Sequence, residues 1–241
     1  SQQSVGILGI QRGEKLQNVT MEGFLDKLTK AELSAEPYNV EVLTEGGKQR
    51  LPVKIFKQPA KAGDIRSVVF AFHGAVDQNT REIPTFEARF VEPLDMDGCV
   101  LISIADPTLA EHKDLRATWY AGSFKYDLPH VLELFTGQVI EATEADKIIF
   151  TGSSVGAYPA LAQASKVEDS IALLVNPILN IGSYYERHRK TYASVCWSAN
   201  AEELGQFITI DATDFLNEQK LTNLLYLQGA TDHHFWSQAV N

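Results

Sequence analysis

Cysteine is scarce: the 241 residues hold only Cys99 and Cys196. Two thiols so far apart make neither a disulfide framework nor a zinc pattern, and a reducing compartment suits them better than an oxidising one. Cys99 lies in an apolar run and reads as a small core hydrophobe. Long apolar runs are also missing. None approaches the ~18–20 residues of a membrane span, so no spanning helix is expected. The first residues lack a basic segment followed by an apolar one, so no secretory signal is visible and a cytoplasmic location is the expectation. Positive charge is sparse too. Net charge is -10, from 21 basic and 31 acidic residues, and the densest basic stretch is Arg187-His188-Arg189-Lys190. That stretch reads as a solvated helix face, and nucleic acid is not expected as a main partner.

What is present is an ordinary globular composition, 44% hydrophobic and 22% charged. There is no internal repeat, low-complexity tract or linker, so residues 1–241 read as one domain, with 1–35 an N-terminal extension carrying a helix. Met21, Phe24, Leu25 and Leu28 recur at helical spacing behind Thr20, a natural N-cap. Val40–Leu43 and Leu51–Phe56 are strand-like around a Gly46-Gly47 turn, and Pro52 points to a hairpin at a sheet edge. Four further apolar runs follow, Ser67–Phe72, Val100–Ile104, Ile148–Phe150 and Ile171–Val175, and Leu224–Leu227 is the last. Leu128 to Ala142 carries helical periodicity between two of them. Apolar strands alternating with helical stretches predict an α/β fold, a mostly parallel sheet with helices on both faces. Ligands on such sheets bind beyond the carboxyl ends of the strands. His73, Asp106, Ser154, Asn176 and Asp232 all fall at or just after those ends.

The segment Lys147–Leu161 contains Gly152-Ser153-Ser154-Val155-Gly156, a G-x-S-x-G between a strand and a helix. A sharp turn there exposes Ser154 above a helix N-terminus, and small flanking residues let the turn close. A serine hydroxyl needs a base within hydrogen-bond reach, and the base needs an orienting acid. His233 and His234 follow the last strand, after Ser154 in chain order, with His234 preferred. Asp232 is the acid by position, although an acid and a base on one short loop is an unusual layout; Glu186, Asp211 and Asp214 are the alternatives. The oxyanion hole is expected from the N–H of Val155 with that of Ala75 or Gly74. Trp119 and Tyr120 are expected on the cleft wall, as apolar or sugar-stacking surface. No cofactor or metal site is expected.

Taken together, the segments His73–Ala75, Ala105–Leu109, Thr118–Ser123, Gly152–Tyr158, Asn176-Pro177 and Tyr226–Phe235 resemble an α/β-hydrolase-like family found in bacterial polysaccharide and cell-surface glycan biosynthesis loci. They are also distantly similar to the acetyltransferases of the accessory Sec secretion system. The resemblance covers about residues 67–236. It implies an α/β-hydrolase-like fold and ester-bond chemistry on an acyl or glycan substrate. This chain ends soon after His234, where that fold usually adds a strand and a helix, so those two elements are expected to be missing. The leading expectation is a serine esterase or deacylase working through a Ser154 acyl-enzyme. An O-acyltransferase would use the same nucleophile, and a catalytically silent binding or assembly module is the reading from another class.

Overall fold

The structure is a computed structural model that describes residues 15–94, 96–218 and 223–229. Its centre is one eight-stranded sheet with strand order β1-β2-β3-β5-β4-β6-β7-β8. The strands are β1 (Gln17–Thr20), β2 (Tyr38–Thr44), β3 (Gly47–Lys57), β4 (Ser67–Phe72), β5 (Cys99–Ile104), β6 (Lys147–Ser153), β7 (Ile171–Val175) and β8 (Asn223–Leu227). From β5 to β8 every pairing is parallel, while β3 runs antiparallel to both β2 and β5. Among the described residues four α-helices accompany it: α1 (Met21–Thr29), α2 (Leu128–Thr143), α3 (Ala157–Ala164) and α4 (Glu186–Trp197).

The larger core explains the apolar patterns. Phe24 and Leu28 of α1, Val131 and Phe135 of α2, and Ala160 and Leu161 of α3 all bury against Val68, Phe70, Ile102 and Phe150 of the sheet. Phe70 stacks on Phe150 with centroids 5.1 Å apart. The Thr20 hydroxyl caps α1 by accepting from the Gly23 N–H, as its residue type predicts. On the other sheet face lies a smaller core of Val69, Ala71, Ala88, Val91, Cys99 and Leu101. Right-handed crossovers put the β4–β5 connection on this side, because it runs in the opposite direction to the others. That connection carries polar residues and Pro84 and Pro93, and it covers the sheet with turns rather than a helix. Ser103 holds it down: the Ser103 hydroxyl accepts from Glu87 N–H at 2.9 Å.

Two details differ from the sequence expectation. The hairpin β2–β3 is not at the edge, because β1 pairs parallel to β2 outside it. Pro52 is tolerated in an interior strand for a local reason. Its carbonyl accepts from Ala105 N–H just beyond the end of β5, so its missing N–H would face the same side, where the ladder has stopped. The strand β1 itself is too short and too polar to show periodicity.

Candidate active site

The carboxyl ends of β4 and β6 are neighbours, and the chain leaves them in opposite directions, toward β5 and toward β7. A crevice opens where the strand order reverses in this way. Ser154 stands there, at the start of a short 3-10 turn (Ser154–Gly156) that feeds α3. Its φ is +53°, a left-handed value that an L-residue adopts only under constraint. The two glycines supply that constraint. A Cβ on Gly152 would stand 2.0 Å from the Gly156 oxygen, and one on Gly156 would stand 2.4 Å from the Phe72 oxygen. Both obstacles are backbone, so neither position admits a side chain. The Ser154 carbonyl is pinned by Ile178 N–H at 3.0 Å, and its hydroxyl makes no hydrogen bond among the described residues. Val155 lies in the first turn of the helical run, so its N–H has no acceptor within the helix.

The loop after β4 closes against this turn. A Cβ on Gly74 would lie 3.3 Å from the Ser153 oxygen and 3.6 Å from the Ser154 Cβ. Gly74 therefore lies against Ser154 with Ala75 next to it in the chain, and the N–H groups of Gly74 and Ala75 have no partner among the described residues. The structure thus brings Gly74 up to the turn that bears Ser154 and Val155.

Beneath them is a buried polar cluster around His73 and Asp106. His73 Nε2 accepts from the Asp106 N–H at 3.0 Å, and Nδ1 faces the Gly74 oxygen at 2.7 Å. The Asp106 carboxylate accepts from Thr108 N–H, Thr118 hydroxyl and Tyr120 N–H, at 2.9, 2.5 and 2.9 Å. The Tyr120 hydroxyl donates to the Ile104 oxygen at 2.7 Å and accepts from His73 N–H at 3.1 Å. Burial lowers the His73 pKa, against the opposing pulls of the Gly74 carbonyl, Asp106 and Glu87. Burial likewise raises the Tyr120 phenol well above 10, so it stays a donor.

This corrects the expectation for Trp119 and Tyr120. Their side chains are core, with 0% and 2% of their surface exposed, and they form no open cleft wall. Trp119 packs edge-on to Tyr184 at 5.4 Å, and Tyr120 packs edge-on to Phe72 at 5.2 Å. Both residues adopt positive φ, +49° and +54°, and the Asp106 carboxylate fixes that turn by holding Tyr120 N–H. The sequence marked the aromatics but held no sign that a carboxylate would turn them inward.

Asp232, His233 and His234 lie outside the described residues. The segment bearing them leaves β8, and Asn176 ties its base to β7. The Asn176 Oδ1 accepts from Gly229 N–H at 2.7 Å, and the Asn176 N–H donates to the Leu227 oxygen at 2.7 Å. Of the alternative acids, Glu186 pairs with Lys190 at 2.6 Å on the surface. Asp211 is bound by Asn180 Nδ2 at 2.9 Å and by Thr213; burial pushes its carboxyl up, and the bonds from Thr213 and Asn180 outweigh this and hold it low. Asp214 is exposed. Among the described residues no group of three His, Cys, Asp or Glu could hold a metal ion, and no helix is long and apolar enough to cross a membrane.

No protein-family model and no curated protein sequence matches this chain. Solved structures do. A chain of the Glycosylation Associate Protein (Gap123) complex from Streptococcus agalactiae superposes with a TM-score of 0.51 at 16% identity, over 78% of this chain and 35% of that one. This chain thus spans about a third of the length of that relative. A thermophilic esterase from the Planctomycetes species Thermogutta terrifontis gives 0.46 at 19% identity, over 83% and 84% of the two chains. The same esterase phosphonylated by sarin gives 0.47 at 14%, over 83% and 86%. Strand order, the antiparallel β3 and the sharp turn at Ser154 between β6 and α3 together give this chain an α/β-hydrolase-like fold.

Proposed function

We propose that this chain is a serine hydrolase, an esterase or deacylase that works through a Ser154 acyl-enzyme. One observation carries the reading: Ser154 is held at φ +53° between two glycines that no side chain could replace, beside open backbone N–H groups. Ala31, Glu144 and Ser198 also have positive φ, in ordinary turns or helix ends, but Ser154 is held there by two glycines packed against backbone at the carboxyl end of a strand, where strained residues cluster at functional sites. In the proposed reaction, His234 takes the Ser154 hydroxyl proton as Oγ attacks the ester carbonyl carbon. Asp232 supports the imidazolium. The tetrahedral oxyanion is held by the Val155 N–H and an N–H of the β4 loop. Collapse breaks the ester bond, and the imidazolium returns the proton to the departing alcohol. Water then repeats the sequence on the acyl-enzyme and frees the acid. A sugar hydroxyl in place of that water would make the chain an O-acyltransferase. The named association of the Gap123 complex with glycosylation suits an acylated glycan as substrate.

The test is fluorophosphonate labelling with mapping of the labelled residue. Wild-type protein is expected to label at Ser154, and Ser154→Ala to lose the label with a nearly unchanged thermal melt. Label on Ser153, or label surviving in Ser154→Ala, overturns the assignment. No labelling and no ester turnover in the wild type would leave a hydrolase fold that binds without catalysis.

A further inference from the structure

The basic stretch at the start of α4 is not a uniformly solvated face. Its first turn is built onto a series of rings that begins in the core. Trp119 is buried and packs edge-on to Tyr184 at 5.4 Å. Tyr184 in turn meets Tyr185 at 5.0 Å and His188 at 5.9 Å, and Tyr185 lies 6.1 Å from His188. Exposure rises along the series, from 0% at Trp119 through 8% at Tyr184 to 48% at Tyr185. A tyrosine ring held by its neighbours and half exposed offers a flat surface on which one face of a sugar ring can stack.

Cations gather around that ring. Burial lowers the His188 pKa most, and the charges of Arg116 and Arg187 lower it further. Arg187 makes no ion pair among the described residues. Arg116 has one partner, Asp77 Oδ1 at 3.0 Å, and that oxygen already accepts the Asn79 N–H and the Asn79 side-chain amide. Glu186, next in the chain to Tyr185, is taken by Lys190 at 2.6 Å. Two guanidiniums beside a half-buried imidazole repel one another, and a bound anion would relieve them.

The elements that carry these groups are tied to the walls of the crevice. The Arg116 oxygen accepts from Val76 N–H at 2.8 Å, in the loop that brings Gly74 to Ser154. The segment leading to Tyr185 leaves β7 and donates Ile178 N–H to the Ser154 oxygen at 3.0 Å. From Ile178 the chain could reach Tyr185 over at most about 25 Å if fully extended. The 3-10 turn Ile181–Ser183 shortens that span, so Tyr185 stands within a few sugar units of Ser154.

We propose that Tyr185, His188, Arg116 and Arg187 form a subsite for an anionic sugar, one bearing a carboxylate or a phosphate, beside the Ser154 crevice. The sugar ring stacks on Tyr185, and the two guanidiniums hold its anion. The proposal rests on the reading of Ser154 as nucleophile for its place in the reaction. It narrows the substrate class from an acylated glycan to an acylated acidic glycan.

The test is binding to Ser154→Ala protein, which needs no turnover, with glucuronate, glucose 6-phosphate, glucose and inorganic phosphate as probes. Glucuronate or glucose 6-phosphate is expected to bind at least about tenfold more tightly than glucose, the worth of one hydrogen bond to a charged group. The tighter of the two identifies the anion as carboxylate or phosphate. Backbone amide signals of Arg116, Tyr185, Arg187 and His188 should move on binding. The His188 imidazole should titrate higher in the complex than in the free protein, because a neighbouring anion favours its charged form. Adding Arg187→Gln should weaken the anionic sugar by about tenfold, and Arg187→Lys should restore most of the loss. No preference for an anionic sugar over glucose would overturn the subsite. So would binding that leaves His188 unmoved, or binding that Arg187→Gln does not weaken. Inorganic phosphate binding as tightly as glucose 6-phosphate would leave a bare anion site and refute stacking on Tyr185. Selective binding in a protein whose Ser154 never labels with fluorophosphonate would defeat only the hydrolase reading, whereas labelling at Ser154 without selective binding would defeat only the subsite.

Discussion

His73 is neutral for a geometric reason as well as a dielectric one: its Nε2 already receives a proton donor and has no place for a proton of its own. Folding therefore depresses its pKa below the ordinary 6.5, with burial the largest cause. The sign of the linkage follows. Between the folded and unfolded values the unfolded chain binds more protons, so stability is complete above about pH 6.5 and falls as pH drops through the window below it. His188 is shifted in the same direction, by burial and then by Arg116 and Arg187, and adds to the same slope. Urea midpoints compared at about pH 8 and about pH 5.5 should fall for the wild type, and fall less for His73→Asn, which has nothing to protonate at that position. Identical slopes would show that His73 is not held neutral. The residue types at strand ends marked His73 and Asp106 as candidates for a site, and the structure joins the two in one buried polar cluster. Their contact spans 33 residues of sequence and rests on a backbone N–H, so no spacing or periodicity could announce it.

Elements were legible wherever one periodicity ruled a stretch. The bounds of β4 and β7 coincide with their apolar runs, and α2 begins and ends within a residue or so of its pattern. Elements failed to show where tertiary contact made them. The strand β1 exists because β2 offers it a partner, and the turns after β4 form a layer because the crossover rule puts them there. Glycine tests the difference between local propensity and tertiary fit. Gly152→Ala and Gly156→Ala must push backbone against backbone, and each is expected to cost at least about 2–3 kcal/mol by denaturant unfolding. Gly137 sits on the exposed side of α2 with nothing within 4 Å of its added Cβ. Gly137→Ala should instead stabilise by about 0.5–1 kcal/mol, the propensity difference in a helix interior. Tolerance of alanine at Gly152 or Gly156 would refute the tight packing that holds Ser154 in its strained turn.

At the scale of the whole molecule, parallel pairing from β5 to β8 aligns the carboxyl ends of β4, β6, β7 and β8 along one rim. That alignment was readable from the alternation of apolar and helical segments, and it is why residues far apart in sequence were assigned to one site. It also sets the geometry for the proposed base. Strands lie about 4.8 Å apart, so the end of β8 is about 10 Å from the end of β6, a gap that a short loop and one imidazole can bridge. Asn176 Oδ1 accepts from Gly229 N–H at 2.7 Å, which ties the last described residue after β8 to the end of β7. The proposed assignment of His234 then makes a ranked prediction. His234→Ala should lower turnover of a chromogenic ester by about 10³-fold or more, since only binding and oxyanion stabilisation would remain. His233→Ala should cost far less, and both variants should melt near the wild type. The opposite ranking would exchange the two histidines and keep the hydrolase. If neither change lowers turnover that Ser154→Ala abolishes, the base comes from another segment of the rim, and the proposed role of the loop after β8 is wrong.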